Sequence, residues 1–187
     1  MADLHALLES SGAILKGHFK LTSGRHSDTY FEKFRVLEQP KVLSELCAEI
    51  ARNFDGKGID IVAGPTTGGI IIAHETARQM GLPALYVETE NGQKTVRRGA
   101  TIPQGAKVLV VDDVLTTGLS VQETIAAIQA IGGQVVGVGV LIDRAQSPLD
   151  FGAEFFASYK VSAESWPEDG VPEWLAAIPI TKPGTRK

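Results

Sequence analysis

The stretch Val108–Ser120 reads VLVVDDVLTTGLS: an apolar run, two adjacent acids, a turn of small residues and the start of a helical pattern. Four consecutive apolar residues at 108–111 predict a strand that is covered on both faces, which is typical of a parallel sheet. A loop of small residues that enters a helix is the other half of a strand-loop-helix unit. The segment therefore favours an α/β fold.

The same alternation continues through the centre of the chain. The patterns predict strands over 59–64, 83–88, 108–113 and 134–143, and helices over 69–80 and 119–131. The second helix is expected to begin in the capping-box pattern Ser120-Val-Gln-Glu123 and to end at Gly132. Right-handed crossovers then place the carboxyl ends of the strands on one edge, where ligands of open sheets bind. We expect a central, mainly parallel sheet flanked by helices.

The two ends of the chain have a different character. The first 40 residues contain a short amphipathic pattern at Leu4–Leu8 and then mixed polar and aromatic residues, while the last part carries Trp166, Trp174 and several prolines. We predict a single domain over 1–187, with a cap at 1–40, an α/β core at 41–160 and a tail at 161–187. The tail is expected to pack against the cap and form a small hood.

Composition limits the classes of partner. The chain has 187 residues, 43% of them hydrophobic and 21% charged, with a formal net charge of -4. An acidic balance argues against bulk binding to nucleic acid or membranes, and no apolar run is long enough to cross a bilayer. The single cysteine, Cys47, lies at helical spacing with apolar residues and is predicted to be core. We expect a cytoplasmic protein.

The order of residue types in 108–120, two acids and then a loop of small residues before a helix, indicates its chemistry. A small-residue loop at a helix N-terminus presents amide N–H groups to a phosphate, and Thr116, Thr117 and Ser120 add hydroxyl donors. Asp112 and Asp113 lie too near to share that phosphate without repulsion, and vicinal ribose hydroxyls suit them as partners. Either feature alone also fits an ordinary strand end and turn. Together they indicate a ribose 5-phosphate ligand.

This segment resembles the signature of the type I phosphoribosyltransferases over thirteen contiguous residues. The resemblance implies that Asp112 and Asp113 hold the ribose hydroxyls of 5-phosphoribosyl-1-pyrophosphate (PRPP) and, through water, Mg2+. It implies that the 5-phosphate is held by Thr116, Thr117, Gly118, Leu119 and Ser120.

A second segment, AGPTTGGIIIAHETA from Ala63, resembles the pyrophosphate loop of the family. The resemblance assigns pyrophosphate binding to Thr66, Thr67, Gly68 and Gly69. A plain turn between strand and helix is the alternative interpretation.

The segment 88–105, ETENGQKTVRRGATIPQG, is polar and basic. A solvated hairpin is one interpretation. In the family a mobile loop at this point closes over the pyrophosphate, which implies catalytic roles for Lys94 and Arg97 and PRPP binding by Arg98. The loop lacks the Arg-Lys pair, further Lys and His-Gly that orotate enzymes commonly carry here.

Two further segments resemble the orotate phosphoribosyltransferases. GHFKLTSGRHSDTYF, residues 17–31, matches their N-terminal pattern and ends in the aromatic pair Tyr30 and Phe31, although Thr22 stands where a lysine is common. Arg144, in LIDR, matches the arginine that holds the orotate ring. The resemblance implies orotate binding by Tyr30, Phe31, Thr116 and Arg144. It also implies a homodimer that acts on small molecules.

Three alternatives stay open: a phosphoribosyltransferase for another nucleobase, a non-catalytic PRPP-binding regulator, and a Rossmann-like binder of another nucleotide, which the paired acids disfavour. No GxGxxG opens a helix, and His5, His18, His26 and His74 lack metal-ligand spacing. His26 is a candidate for the base pocket.

Overall fold

Two sheets organise the chain, and each belongs to a separate unit of the computed structural model. Residues 1–42 together with 161–187 form one unit, here called the hood, and residues 43–160 form the other, the core unit. The structure describes residues 3–21, 23–97, 99–161 and 164–181.

The helices of the described residues are α1 (Leu4–Ser10), α2 (Lys33–Leu37), α3 (Pro40–Phe54), α4 (Gly68–Met80), α5 (Leu119–Ala130) and α6 (Glu173–Ala176). The strands are β1 (Ile14–Lys20), β2 (His26–Phe31), β3 (Ile61–Pro65), β4 (Ala84–Glu90), β5 (Gln93–Thr95), β6 (Lys107–Leu115), β7 (Gln134–Asp143), β8 (Glu154–Lys160), β9 (Ser165–Trp166) and β10 (Ile180–Thr181). None of the helices in the described part of the chain is both long and apolar enough to span a membrane.

The core unit is built on a six-stranded sheet with the order β5-β4-β3-β6-β7-β8. All neighbouring strands run parallel except β5, which returns antiparallel beside β4 as the second arm of a hairpin. The central, mainly parallel sheet predicted from the apolar runs is confirmed. Its helices cover both faces, which explains why β3 and β6 are apolar at successive positions.

Alternation along the strands separates the two faces of this sheet. Ala63, Val110 and Val138 pack with Val121 and Ile128 of α5 on one side. Residues between them, such as Val62 and Leu109, are also fully buried and point to the opposite side. There Gly139 of β7 lets α3 approach closely, since a Cβ at this position would lie 2.6 Å from Ile50 Cγ2.

The beginning of α5 differs from the sequence prediction. The N-cap residue is Gly118, with φ 80°, and it makes no side-chain cap hydrogen bond. Ser120 is already the second helical residue, and its hydroxyl is bonded to Asp112. The predicted capping box is therefore wrong, because the serine hydroxyl has a partner in β6 and does not return to its own helix.

The hood contains a four-stranded sheet with the order β10-β1-β2-β9. Strands from the tail flank the N-terminal hairpin: β10 pairs parallel with β1, and β9 pairs antiparallel with β2. Trp166 and Trp174 meet edge to face, with ring centroids 5.8 Å apart. The expected packing of the tail on the cap is thus present within this unit.

Cys47 lies in α3 and is fully buried. Burial raises the pKa of its thiol to about 12. The prediction that it is a core residue is confirmed.

Candidate functional site

Two loops follow neighbouring strands at the carboxyl edge of the core sheet. β3 and β6 pair in parallel, with Ala63 opposite Val110. β3 leads through Thr66 and Thr67 into α4, and β6 leads through residues 116–118 into α5. The structure therefore brings the two loops singled out by sequence to the same edge of the sheet, one strand apart.

Neither of the helices at this edge is capped by the side chain of its N-cap residue, and in α5 the contact from the Leu119 amide to Thr117 Oγ1 is a long one, at 3.4 Å. Thr67 is the N-cap of α4 and Gly118 that of α5, and neither makes a side-chain cap hydrogen bond. By contrast, Asp3 caps α1 and Glu32 caps α2 through their carboxylates. The first amides of a helix have no intrahelical acceptor, so α4 and α5 offer N–H groups and the positive end of the helix dipole to an anion.

The loop into α5 depends on a glycine. Gly118 has a φ of 80°, and a Cβ built on it would lie 2.8 Å from Leu149 Cδ1 and 3.2 Å from Phe151 Cε1. A side chain is thus excluded both by backbone conformation and by space. On either side of it Thr116, Thr117, Leu119 and Ser120 are exposed, as residues that bind a ligand from solvent must be.

The loop into α4 is held equally closely. A Cβ on Gly64 would lie 2.1 Å from the carbonyl oxygen of Gly69, and one on Gly69 would lie 2.5 Å from Pro65 Cδ. The Thr66 amide donates to the carbonyl of Val87 at 2.9 Å, and the Thr66–Thr67 peptide bond is cis. Glycines at both positions let the helix N-terminus lie directly against the end of β3.

Asp112 and Asp113 lie within β6, which continues to Leu115. The sequence prediction ended this strand at the acids, but the ladder with β7 extends to Leu115 opposite Asp143. Both acids are nearly buried, with 8% and 9% of their surface exposed. Their polar atoms are therefore committed to specific partners.

Three hydrogen bonds orient the acid pair. Asp112 Oδ1 accepts from the Asp113 amide at 2.8 Å, and Asp113 Oδ1 accepts from the Val114 amide at 2.7 Å. Asp112 Oδ2 accepts from Ser120 Oγ at 2.8 Å. The last bond joins the acid pair directly to the loop that enters α5.

The pKa of Asp112 is raised, first by burial and then by the charge of Asp113. The Asp113 amide, the Ser120 hydroxyl and the charge of Lys94 act in the opposite direction. Lys94, in β5, is thus a cation whose charge lowers the pKa of Asp112. A buried acid whose pKa is shifted by burial and by a neighbouring acid is a candidate for a functional site.

The segment 88–105 begins as a hairpin formed by β4 and β5, with Thr89 opposite Lys94. Arg97 lies 3.2 Å from Glu90 Oε1 through one guanidinium nitrogen and 3.9 Å from Glu88 Oε2 through Nε. The structure thus pairs Arg97 with the acids of its own hairpin. Arg98 lies outside the described residues.

Arg144 follows β7 directly. Its amide donates to the carbonyl of Leu115 at 2.9 Å, which ties it to the end of β6 next to Thr116. Asp143 Oδ1 accepts from the Ala145 amide at 2.8 Å and shapes this turn. The two residues named for orotate binding in the core unit, Thr116 and Arg144, are therefore adjacent in the structure.

The remaining orotate candidates lie in the hood. Tyr30 and Phe31 are consecutive in β2, so their side chains point to opposite faces of that sheet. Phe31 is buried, whereas Tyr30 is half-buried, with its ring 5.5 Å from Phe19. The two rings do not form one clamp around a flat base, and Tyr30 alone retains that predicted role. Thr22 lies outside the described residues.

His26, also considered for the base pocket, belongs to a buried pair. Its Nδ1 lies 2.6 Å from His18 Nε2, and His18 Nδ1 lies 2.9 Å from the carbonyl oxygen of Ile178. The pair joins β1 and β2 to the tail within the hood.

Sequence reasoning missed two contacts. The capping-box interpretation assigned the Ser120 hydroxyl to its own helix, although Asp112 stands only eight residues earlier in the chain. The pairing of Arg97 with Glu88 and Glu90 is signalled by acids at alternate positions of β4, which share one side of the hairpin.

Comparison with known proteins places these features in a family. Residues 35–172 match the sequence model of the phosphoribosyl transferase domain. An orotate phosphoribosyltransferase of Pelotomaculum thermopropionicum is 45% identical over 185 residues, 99% of this chain and 97% of that protein. That of Desulforamulus reducens is 43% identical over 181 residues, 97% of this chain and 95% of that protein.

Among solved structures, the orotate phosphoribosyltransferase of Aeropyrum pernix superposes with a TM-score of 0.71 at 28% identity. The match covers 84% of this chain and 93% of the Aeropyrum chain.

Proposed function

Because the chain belongs to the phosphoribosyltransferase family, and within it to the orotate phosphoribosyltransferases, we propose that it transfers the phosphoribosyl group of PRPP to orotate. The products are orotidine 5'-monophosphate and pyrophosphate, a step of pyrimidine biosynthesis. The observation that carries the proposal is the 43–45% identity with orotate phosphoribosyltransferases over nearly the whole chain. It is supported by a buried acid pair in β6, one of the two neighbouring strands that lead into the N-termini of α4 and α5.

We assign each end of PRPP to one of the two loops. The 5-phosphate accepts hydrogen bonds from the loop 116–120 and the first turn of α5. The pyrophosphate lies at Thr66–Gly69 against the N-terminus of α4. The ribose hydroxyls donate to Asp112 and Asp113, which lie in β6, the strand that leads into the loop 116–120 and neighbours β3.

The reaction exchanges one bond at C1 of the ribose. The bond to the pyrophosphate oxygen breaks, N1 of orotate forms the new bond, and N1 loses its proton. Positive charge develops on the sugar and negative charge on the leaving group, so positioned charges and dipoles stabilise the transition state. Lys94, Arg97 and Arg98 supply the cations for the leaving group, and Thr116 and Arg144 of the core unit hold the orotate ring.

Mg2+ is the metal proposed for this site. The described residues contain no cluster of three or more His, Cys, Asp or Glu side chains that could hold a metal. The Asp112–Asp113 pair nevertheless fits Mg2+, which commonly keeps its waters and takes one or two carboxylates together with substrate phosphate oxygens. When bound, the ion supplies positive charge to the pyrophosphate oxygens.

The proposal extends to assembly and location. We infer a homodimer in the cytoplasm, by relation to the family, with no role for nucleic acid or membrane. Light scattering after size exclusion measures the assembly, and a mass of one chain at micromolar concentration contradicts the dimer.

Orotate depletion tests the activity. Orotate is mixed with PRPP and the protein, with Mg2+ or with a chelator, and its absorbance is followed. Consumption that requires both PRPP and Mg2+ is expected. A parallel panel of adenine, guanine, hypoxanthine and uracil is the control, and turnover of one of these in place of orotate would reassign the base.

A further inference from the structure

The hydroxyl of Ser120 lies between two acceptors. In the structure it donates to Asp112 Oδ2 at 2.8 Å. Ser120 also belongs to the loop proposed to hold the 5-phosphate, whose oxygens are strong acceptors. A serine hydroxyl carries one proton and can donate to only one of them at a time.

The backbone of Ser120 is fixed independently of this choice. Its carbonyl accepts from Thr124 Oγ1 at 2.7 Å, and Thr124 is fully buried. The Gln122 amide donates to the carbonyl of Gly118 at 2.9 Å, so the first turn of α5 is already formed. Exchange between the two acceptors therefore requires only rotation of the serine side chain.

Ser120 donates to the oxygen of Asp112 that is expected to bind the ribose, Oδ2. Asp112 Oδ1 is already held by the Asp113 amide at 2.8 Å. Oδ2 is thus the oxygen through which a ribose hydroxyl is expected to reach Asp112. While the loop is empty, the Ser120 hydroxyl stands in for that ribose hydroxyl.

We propose that Ser120 is a positioning residue that links the two ends of the sugar phosphate: its hydroxyl holds Asp112 while the loop is empty and turns to the phosphate when the loop fills. Filling the loop then releases Asp112 Oδ2 to accept from the ribose. The inference rests on the proposed function, since it concerns the same site.

The test is a double-mutant cycle read by calorimetry with inorganic phosphate as the probe. Ser120→Ala is made in the wild type, in Asp112→Asn and in the charge-matched control Asp113→Asn. In the wild type, phosphate gains the hydroxyl only by breaking its bond to Asp112, so Ser120→Ala is expected to change the Kd by less than about threefold. In Asp112→Asn the side-chain oxygen is expected to stay with the Asp113 amide, so that Nδ2 faces Ser120 and the hydroxyl proton is free for phosphate. Ser120→Ala is then expected to raise the Kd roughly tenfold.

The controls distinguish a linkage between Asp112 and the phosphate from a plain contact of Ser120 with the phosphate. Ser120→Ala in Asp113→Asn is expected to behave as it does in the wild type, and Ser120→Thr, which keeps the hydroxyl, is expected to leave the Kd unchanged in all three backgrounds. An equal loss in all three backgrounds overturns the linkage, because it indicates a plain phosphate contact. No loss in any background also overturns it.

A second measurement uses the wild type alone, so it does not depend on whether the double variants fold. A crystal structure of the wild type with phosphate in the loop should place Ser120 Oγ on the phosphate and away from Asp112. Persistence of the Asp112 bond in that structure overturns the proposal. Neither readout involves turnover, so a failed linkage in a protein that consumes orotate leaves the proposed function standing.

Discussion

Burial and, after it, the charge of the neighbouring Asp113 raise the pKa of Asp112. A carboxylate in this position is costly to the fold unless donors reach it, and the Asp113 amide and Ser120 hydroxyl do so. Ribose hydroxyls are further donors of the same kind. Asp112 therefore costs the fold stability by being buried, and its proposed contribution is to bind a ligand.

Asp112→Asn is expected to lower kcat/KM for PRPP by at least about tenfold, because a charged acceptor of a sugar hydroxyl is replaced by a neutral amide of the same shape. Steady-state kinetics measure the effect. Asp60→Asn is the control: Asp60 precedes β3 at the opposite end of the sheet and binds the Lys107 amide, so its replacement should leave kcat/KM unchanged. Equal activities of wild type and Asp112→Asn would contradict the assigned role.

At the scale of elements, the site depends on how closely each helix approaches its strand. Gly64 and Gly69 allow the end of β3 to lie against α4, and Gly118 allows the loop before α5 to lie under Leu149. The N-cap residues of α4 and α5 make no side-chain cap hydrogen bond, which leaves first-turn amides available to an anion. At these three positions a Cβ would collide with neighbouring atoms, so glycine fits where a larger residue does not.

Gly118→Ala is expected to weaken binding of inorganic phosphate and to destabilise the fold, since it combines a positive φ with a close contact. The positive φ costs about 1–2 kcal/mol, and the contact adds about 1–3 kcal/mol. Gly152→Ala is the matched control, because Gly152 has a φ of 65° but no atom within 4 Å of its Cβ position. Urea denaturation and calorimetry should show a smaller loss of stability and unchanged phosphate binding for Gly152→Ala.

A polar cluster joins α3 and α4. Glu75 accepts from Arg78, from Ser44 Oγ and from Gln79, each within 2.7–2.8 Å. The Arg78 hydrogen bonds are the largest cause that lowers the pKa of Glu75 from 4.5 to about 2. The folded state therefore binds this proton more weakly than the unfolded state does.

From this shift we expect the stabilisation from Glu75 to be complete above pH 4.5 and to be lost as the pH falls toward about 2. Glu75→Gln should lower the free energy of unfolding at pH 7 by about 1 kcal/mol. Between pH 4.5 and about 2 the free energy of unfolding of this variant should fall less steeply than that of the wild type. Urea denaturation at a series of pH values measures both. Glu45→Gln makes the same charge change on α3 and should leave the slope as in the wild type.

At the scale of the whole molecule, the ends of the chain come together as one unit and the middle forms another. The core unit holds the two anion loops, the acid pair and Arg144, and the hood holds Tyr30. The reactivity of Cys47 measures whether the core unit is folded, since its thiol, in α3, is fully buried and burial raises its pKa to about 12.

Cys47 is expected not to react with a disulfide reagent at pH 8 in the folded protein, because only an exposed thiolate attacks. Reaction should appear in urea and follow the unfolding transition seen by circular dichroism. Fast labelling of the folded protein would contradict the burial.

The sequence by itself determined the parallel sheet, the positions of the two loops that enter α4 and α5, and the family, because apolar runs, glycines and adjacent acids are local signals. The acceptor of the Ser120 hydroxyl and the partners of Arg97 were decided only by the tertiary structure. A hydroxyl or a guanidinium has several acceptors within reach along the chain. Which one it takes depends on the distance between strands and helices that the sequence pattern does not contain.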